Sequence, residues 1–218
     1  MGRSGNVFWG IMVFGGLTIL ALIPFTLYLI NSLSPTIIHG LSLAKVTGEF
    51  VESSTNQAIK VRVRVGPSGG CVWSNLTESI SCVSLIPYKP TPESIHLANN
   101  ESITSCFPIA LGKALALNHV TTAFMGLSIL AILVDCLILQ GGISLAIVYL
   151  MVLFMWITFI LETVYISVLH KRLDKINQGD NDNGNWDYKV GEGYWFVLAA
   201  TILVSLVTCG GNFSIDSN

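Results

Sequence analysis

Two carboxylates stand inside apolar runs that otherwise carry no charge, Asp135 within residues 120–139 and Glu162 within 143–169. Ionisable groups in membrane-spanning helices are costly and are kept for hydrogen bonding, ion pathways or proton relays. These two fall near opposite membrane faces and make a poor relay pair. We expect each to hydrogen-bond inside a helical bundle, with a transport site as the rival reading.

Between the first two apolar runs lies a polar segment with a different chemistry. It carries Cys71, Cys82 and Cys106, together with the N-glycosylation patterns Asn75-Leu-Thr and Asn100-Glu-Ser. Cysteines clustered in a polar segment suit an oxidising compartment. A Cys71–Cys82 bond would close a short loop and add about 3 kcal/mol through chain entropy. Cys106 is then free, paired with another molecule, or the true partner of one of the other two. Cys136 and Cys209 fall in or beside spans and are expected to be packed thiols.

In the same segment Ile59, Val61, Val63 and Val65 alternate with Lys60, Arg62 and Arg64, the period-2 pattern of a strand covered on one face. Gly66-Pro67-Ser68-Gly69-Gly70 ends it in a turn. The basic stripe, with Trp73 close behind it, is either a solvated face or a docking surface for acidic head groups or a partner. His39, His96 and His119 are scattered, and no paired Cys-x-x-Cys or His spacing suggests a metal. No phosphate loop, nucleophile elbow or dinucleotide fingerprint occurs in a plausible context, so no catalytic residue, cofactor or enzymatic activity is expected.

The elements that position these groups follow from composition. The chain has 218 residues, 11 Lys+Arg against 13 Asp+Glu, a net charge of -2 and only 11% charged residues. Soluble domains carry about 25%. With a mean hydropathy of +0.66, a soluble enzyme, a disordered chain and a basic nucleic-acid binder are all excluded as leading classes. A small integral membrane protein remains.

A span needs about 20 apolar residues. We place transmembrane helices at 7–30, 118–139, 143–169 and 190–209, the third longer than a bilayer requires. The first run is too long for the apolar core of a signal peptide and is expected to stay as an anchor. Residues 31–117 form a long first loop, 140–142 a tight hairpin and 170–189 a hydrophilic third connection; 1–6 and 210–218 are short tails. Lys171, Arg172, Lys175 and Lys189 in that third connection argue for a cytosolic location by the positive-inside rule. The cysteines and glycosylation patterns argue the reverse, and we follow them: long first loop outside, both termini in the cytosol.

This layout resembles the claudin-like superfamily, in which four spans carry a long first extracellular loop with a strand and two cysteines. Local wording is similar to fungal PalI and eisosome-associated four-span proteins. It comprises Ser34-Pro35-Thr36-Ile37-Ile38-His39-Gly40 after the first span, Val63-Arg64-Val65-Gly66 leading to Gly70-Cys71, Leu115-Ala116-Leu117-Asn118-His119 before the second, and Gly193-Tyr194-Trp195-Phe196 opening the fourth. The resemblance implies a left-handed four-helix bundle displaying a small extracellular sheet. It further implies a non-catalytic plasma-membrane organiser or accessory protein that stabilises a pH-sensing receptor or maintains eisosome-linked domains. Membrane lipids and other integral membrane proteins would be its partners, with no nucleic acid. An auxiliary subunit of a channel or polysaccharide synthase, and a small transporter using Asp135 or Glu162, are the rival functions.

Overall fold

The computed structural model describes residues 21–51, 58–76, 79–95, 101–134, 143–179 and 185–213. Among them the chain is mostly helical, with one small antiparallel sheet. Helix α1 (Ala21–Ser32) leads into strands β1 (Ala44–Val51), β2 (Ala58–Gly66), β3 (Gly69–Ser74) and β4 (Ile80–Val83). A short 3-10 turn and helices α2 (Glu101–Ser105) and α3 (Ile109–Ala114) precede α4 (Leu117–Val134). Then come α5 (Ile143–Gly179), β5 (Asn185–Val190) and α6 (Glu192–Phe213). The sheet order is β4-β3-β2-β1-β5.

Strand β2 is the expected amphipathic strand. Ile59, Val61, Val63 and Val65 are buried, while Lys60 and Arg62 are exposed and Arg64 is half-buried. Burying each apolar side chain contributes about 1.5–3 kcal/mol, which settles the register because a one-residue slip would invert both faces. The β2–β3 turn depends on Gly69, whose φ of 138° an L side chain rarely adopts; a Cβ there would lie 2.2 Å from the Val83 carbonyl oxygen. That turn is also tied to the end of α1, because the Ser68 hydroxyl donates to the Ser34 carbonyl at 2.6 Å.

The third connection differs from the expected loop. Helix α5 runs on to Gly179, and β5 joins the sheet at the outer side of β1. The cause is a continued apolar stripe. Tyr165, Ile166, Leu169 and Leu173, with Ile176 packed beside them, keep helical spacing beyond the apolar run and cover the buried face of the sheet. Asn177 fastens β5 to this extension, receiving the Trp186 N–H at 3.2 Å and donating to the Trp186 carbonyl at 2.8 Å. The Trp186 ring lies over Gly48, where even a methyl group would come within 2.4 Å of it.

Two cores result. One joins the inner face of the sheet to the α5 extension and to Tyr88, Ile95, Ile103, Phe107 and Leu115. The other, formed by Tyr28, Met125, Met151, Met155, Val197, Ala200 and Val204, lies among α1, α4, α5 and α6. Two helical stretches, Ile109–Val134 and Ala146–Gln178, are long and apolar enough to cross a membrane by length and composition, and Ala21–Ser32 and Glu192–Thr208 are shorter apolar helices. Leu127, Leu130, Leu153, Ile160 and Leu206 are each more than half exposed on these helices. Outward apolar side chains of this kind fit a lipid surrounding better than water.

Candidate functional site

The sheet's outer face is built in rows by the strand register. Arg64 faces Lys45 on β1 and Cys71 on β3, and Cys71 in turn faces Cys82 on β4. In the next row Arg62 lies between Thr47 and Trp73, and Trp73 faces Ile80. Sequence alternation alone therefore delivers two arginines, an indole and the cystine to one surface. The Cys71–Cys82 bond is formed, with an S–S distance of 2.07 Å.

His39 completes the group. Its Nδ1 lies 3.0 Å from the Pro35 carbonyl oxygen, to which it donates, and 3.5 Å from the Cys82 sulfur. Arg64 donates from Nη1 to the His39 carbonyl. Arg62 lies over the Trp73 ring at 5.6 Å. Together His39, Arg62, Arg64, Cys71, Trp73 and Ile80 line a cavity of about 190 Å³. His39 and the two sulfurs are metal-ligand types gathered within 4.8 Å, but a cystine offers no thiolate to a metal.

The charges around this cavity are unequally matched. Lys60 pairs with Glu49 at 3.4 Å, Lys189 with Asp187 at 3.5 Å, and Lys45 with Glu192. Such exposed pairs contribute at most about 1 kcal/mol each, but they neutralise those lysines. Among the described residues, Arg62 and Arg64 form no ion pair, and Glu192, whose carboxylate feels the Arg64 charge, is already paired with Lys45. Of the expected docking residues, Arg62, Arg64 and Trp73 thus share the cavity, while Lys60 sits outside it beside Glu49.

The remaining expected sites are placed as follows. Asn75 is exposed at the end of β3, but its amide receives the Lys60 N–H and donates to the Ala58 carbonyl, both at 3.0 Å, so it also holds the start of β2. Asn100 and Asp135 lie outside the described residues. Cys106 is buried and is not the partner of Cys71 or Cys82, which are bonded to each other. Burial pushes its thiol up to about 11, with the nearby Arg172 guanidinium opposing.

Glu162 is fully buried and accepts at Oε1 from the side-chain amides of Asn31 at 3.2 Å and Asn118 at 2.8 Å. Glu162 thus has hydrogen-bond partners on both α1 and α4. The sequence reading did not find Asn31 or Asn118 as its partners, nor His39 as a neighbour of the cystine. Asn31 and Asn118 are the nearest polar amides to the ends of their apolar runs, a faint signal. His39 lies 32 residues before Cys71, and nothing local couples the two.

Comparison of the sequence with protein-family models and with curated proteins gave no match.

Proposed function

We propose that this protein is a non-catalytic four-span membrane protein whose outward-facing sheet docks an acidic group of a partner membrane protein. On this reading it organises or assists that partner in the plasma membrane, as the resemblance to pH-response and eisosome-associated proteins implies. The apolar helices form a left-handed bundle in the bilayer. The sheet stands outside, and both termini lie in the cytosol.

The observation that carries the proposal is the cavity beside the cystine. Arg62 and Arg64 meet there without an ion pair among the described residues, next to an indole, and the carboxylate that feels Arg64, Glu192, is taken up by Lys45. Arginine is suited to a planar carboxylate or phosphate, because its fork of donors can engage both oxygens. The disulfide fixes β4 against β3, so the cavity wall keeps its shape without a partner. Preorganisation of this kind lowers the entropy cost of binding.

Co-purification from native membranes tests the proposal. The wild-type chain should retain a stoichiometric membrane-protein partner that Arg62→Glu/Arg64→Glu loses at unchanged expression. Retention of the same partner by the charge-reversed variant would count against docking through this face.

A further inference from the structure

Three helices bring Asn31, Asn118 and Glu162 together where the bundle core gives way to the sheet core, and none of the three is exposed at all. Both amides donate to the same carboxylate oxygen, Oε1 of Glu162. Donation fixes each amide with its own oxygen turned away from Oε1. Oε2 of Glu162 and the Oδ1 atoms of Asn31 and Asn118 are then left without a hydrogen-bond partner among the described residues. Buried polar atoms in native proteins are almost always satisfied, and three orphans in one cluster call for an explanation.

The surroundings add oxygen in a close-packed setting. Gly193, at the start of α6, has no side chain where a Cβ would lie 2.2 Å from Asn31 Oδ1 and 3.1 Å from the Ser42 carbonyl oxygen. The Ser42 hydroxyl is buried and equally unpartnered. Among the described residues, no Lys or Arg pairs with Glu162.

Charge and donor number decide between occupants. A proton on Glu162 cancels the charge, but it supplies one donor and leaves one of the three oxygens unmet. A cation can take lone pairs from more than one of these oxygens and cancels the charge at the same time. All candidate ligands are oxygens, which suits a hard cation rather than a soft one. There is a single carboxylate, so a monovalent ion leaves the buried site neutral, whereas a divalent ion would leave one positive charge uncompensated. We propose that Glu162, Asn31, Asn118 and Ser42 form a binding site for a sodium-sized monovalent cation at the junction of the bundle and the sheet.

Depth supports the assignment. Residues 143–161 of α5 rise about 28 Å, close to the thickness of a bilayer core, so Glu162 comes at the sheet-side boundary of the membrane. There an ion exchanges with the aqueous phase without crossing the hydrocarbon.

The test is thermal unfolding of the full chain in nanodiscs, with sodium chloride exchanged for N-methyl-D-glucamine chloride at constant ionic strength. Sodium at ten times its dissociation constant should raise Tm by about 4 °C, and Glu162→Gln should abolish the rise. Asn118→Asp adds a second carboxylate and should transfer the response from sodium to calcium. Equal Tm values in the two salts, or an undiminished sodium response in Glu162→Gln, would overturn the proposal. So would a wild-type Tm that depends on pH and not on sodium, which would assign the site to a proton.

Discussion

The guanidinium carbon of Arg62 stands 5.6 Å from the centroid of the Trp73 ring, across the β2–β3 pairing that sets the two residues opposite each other. An exposed cation–π contact of this kind contributes about 0.5–1 kcal/mol. A double-mutant cycle with Arg62→Ala and Trp73→Ala, read by chemical denaturation, should return a coupling of that size. Additive losses would mean that the two side chains are neighbours without mutual attraction.

The cystine should stabilise the sheet as a cross-link. Cys71→Ser, Cys82→Ser and the double variant should each lose about 3 kcal/mol, and by the same amount, because any one of them removes the bond. The comparison is made by denaturant unfolding without reductant. A much smaller loss in the double variant than in either single one would instead attribute the effect to a stray thiol.

Cys106 gives stability a pH dependence. Its folded-state thiol is raised from 9.0 to about 11 by burial, so between those values the unfolded chain has released a proton that the folded chain keeps. The Cys106 contribution to stability should be constant below pH 9 and should fall as pH rises toward 11. Burial also holds the Tyr88 and Tyr188 hydroxyls above their ordinary range, with the same sign. The measurement is therefore the difference in pH slope between the wild type and Cys106→Ala, which should be the shallower.

Gly48 is fixed by the ring that covers it. In Gly48→Ala the new methyl would press on Trp186 at 2.4 Å, and overpacking of this order costs about 1–3 kcal/mol. Trp186 fluorescence should shift to longer wavelength in the same variant as β5 loosens. An unchanged spectrum and stability would show that the ring moves aside freely.

The sequence made some parts of this arrangement legible and hid others for identifiable reasons. Ile59 to Val65 alternate cleanly, so β2 and its buried face were readable, and the short spacing of Cys71 and Cys82 pointed to their bond. Strand β5 was hidden in a hydrophilic stretch, because Trp186 is the only buried side chain among its described residues and its pairing with β1 joins residues more than a hundred positions apart. The α5 extension was masked by His170, Lys171, Arg172, Asp174 and Lys175, although Leu169, Leu173 and Ile176 continue the helical spacing beneath them. The ring of His39, Arg62, Arg64 and Trp73 was half legible. The register supplies three members, and a loop after α1 brings the fourth.

Orientation can be measured at the first glycosylation pattern, provided that Asn75 is left in place. Its amide holds Lys60 and Ala58, so Asn75→Gln confounds loss of sugar with loss of structure. Thr77→Ala removes the pattern and keeps the Asn75 amide. The wild-type chain expressed in its native membrane should shift on deglycosylation, and Thr77→Ala combined with Ser102→Ala should not. A wild-type chain that carries no sugar, with the first loop labelled from the cytosol, would reverse the proposed topology.

The claim that the sheet's outer face docks a partner is tested most directly by site-specific photo-crosslinking in native membranes. A photoreactive residue replaces Ile80, which lines the cavity opposite Trp73. The account predicts one discrete membrane-protein adduct that disappears when Arg62→Glu and Arg64→Glu are added. An adduct of equal yield after charge reversal, or none in the parent, would contradict it.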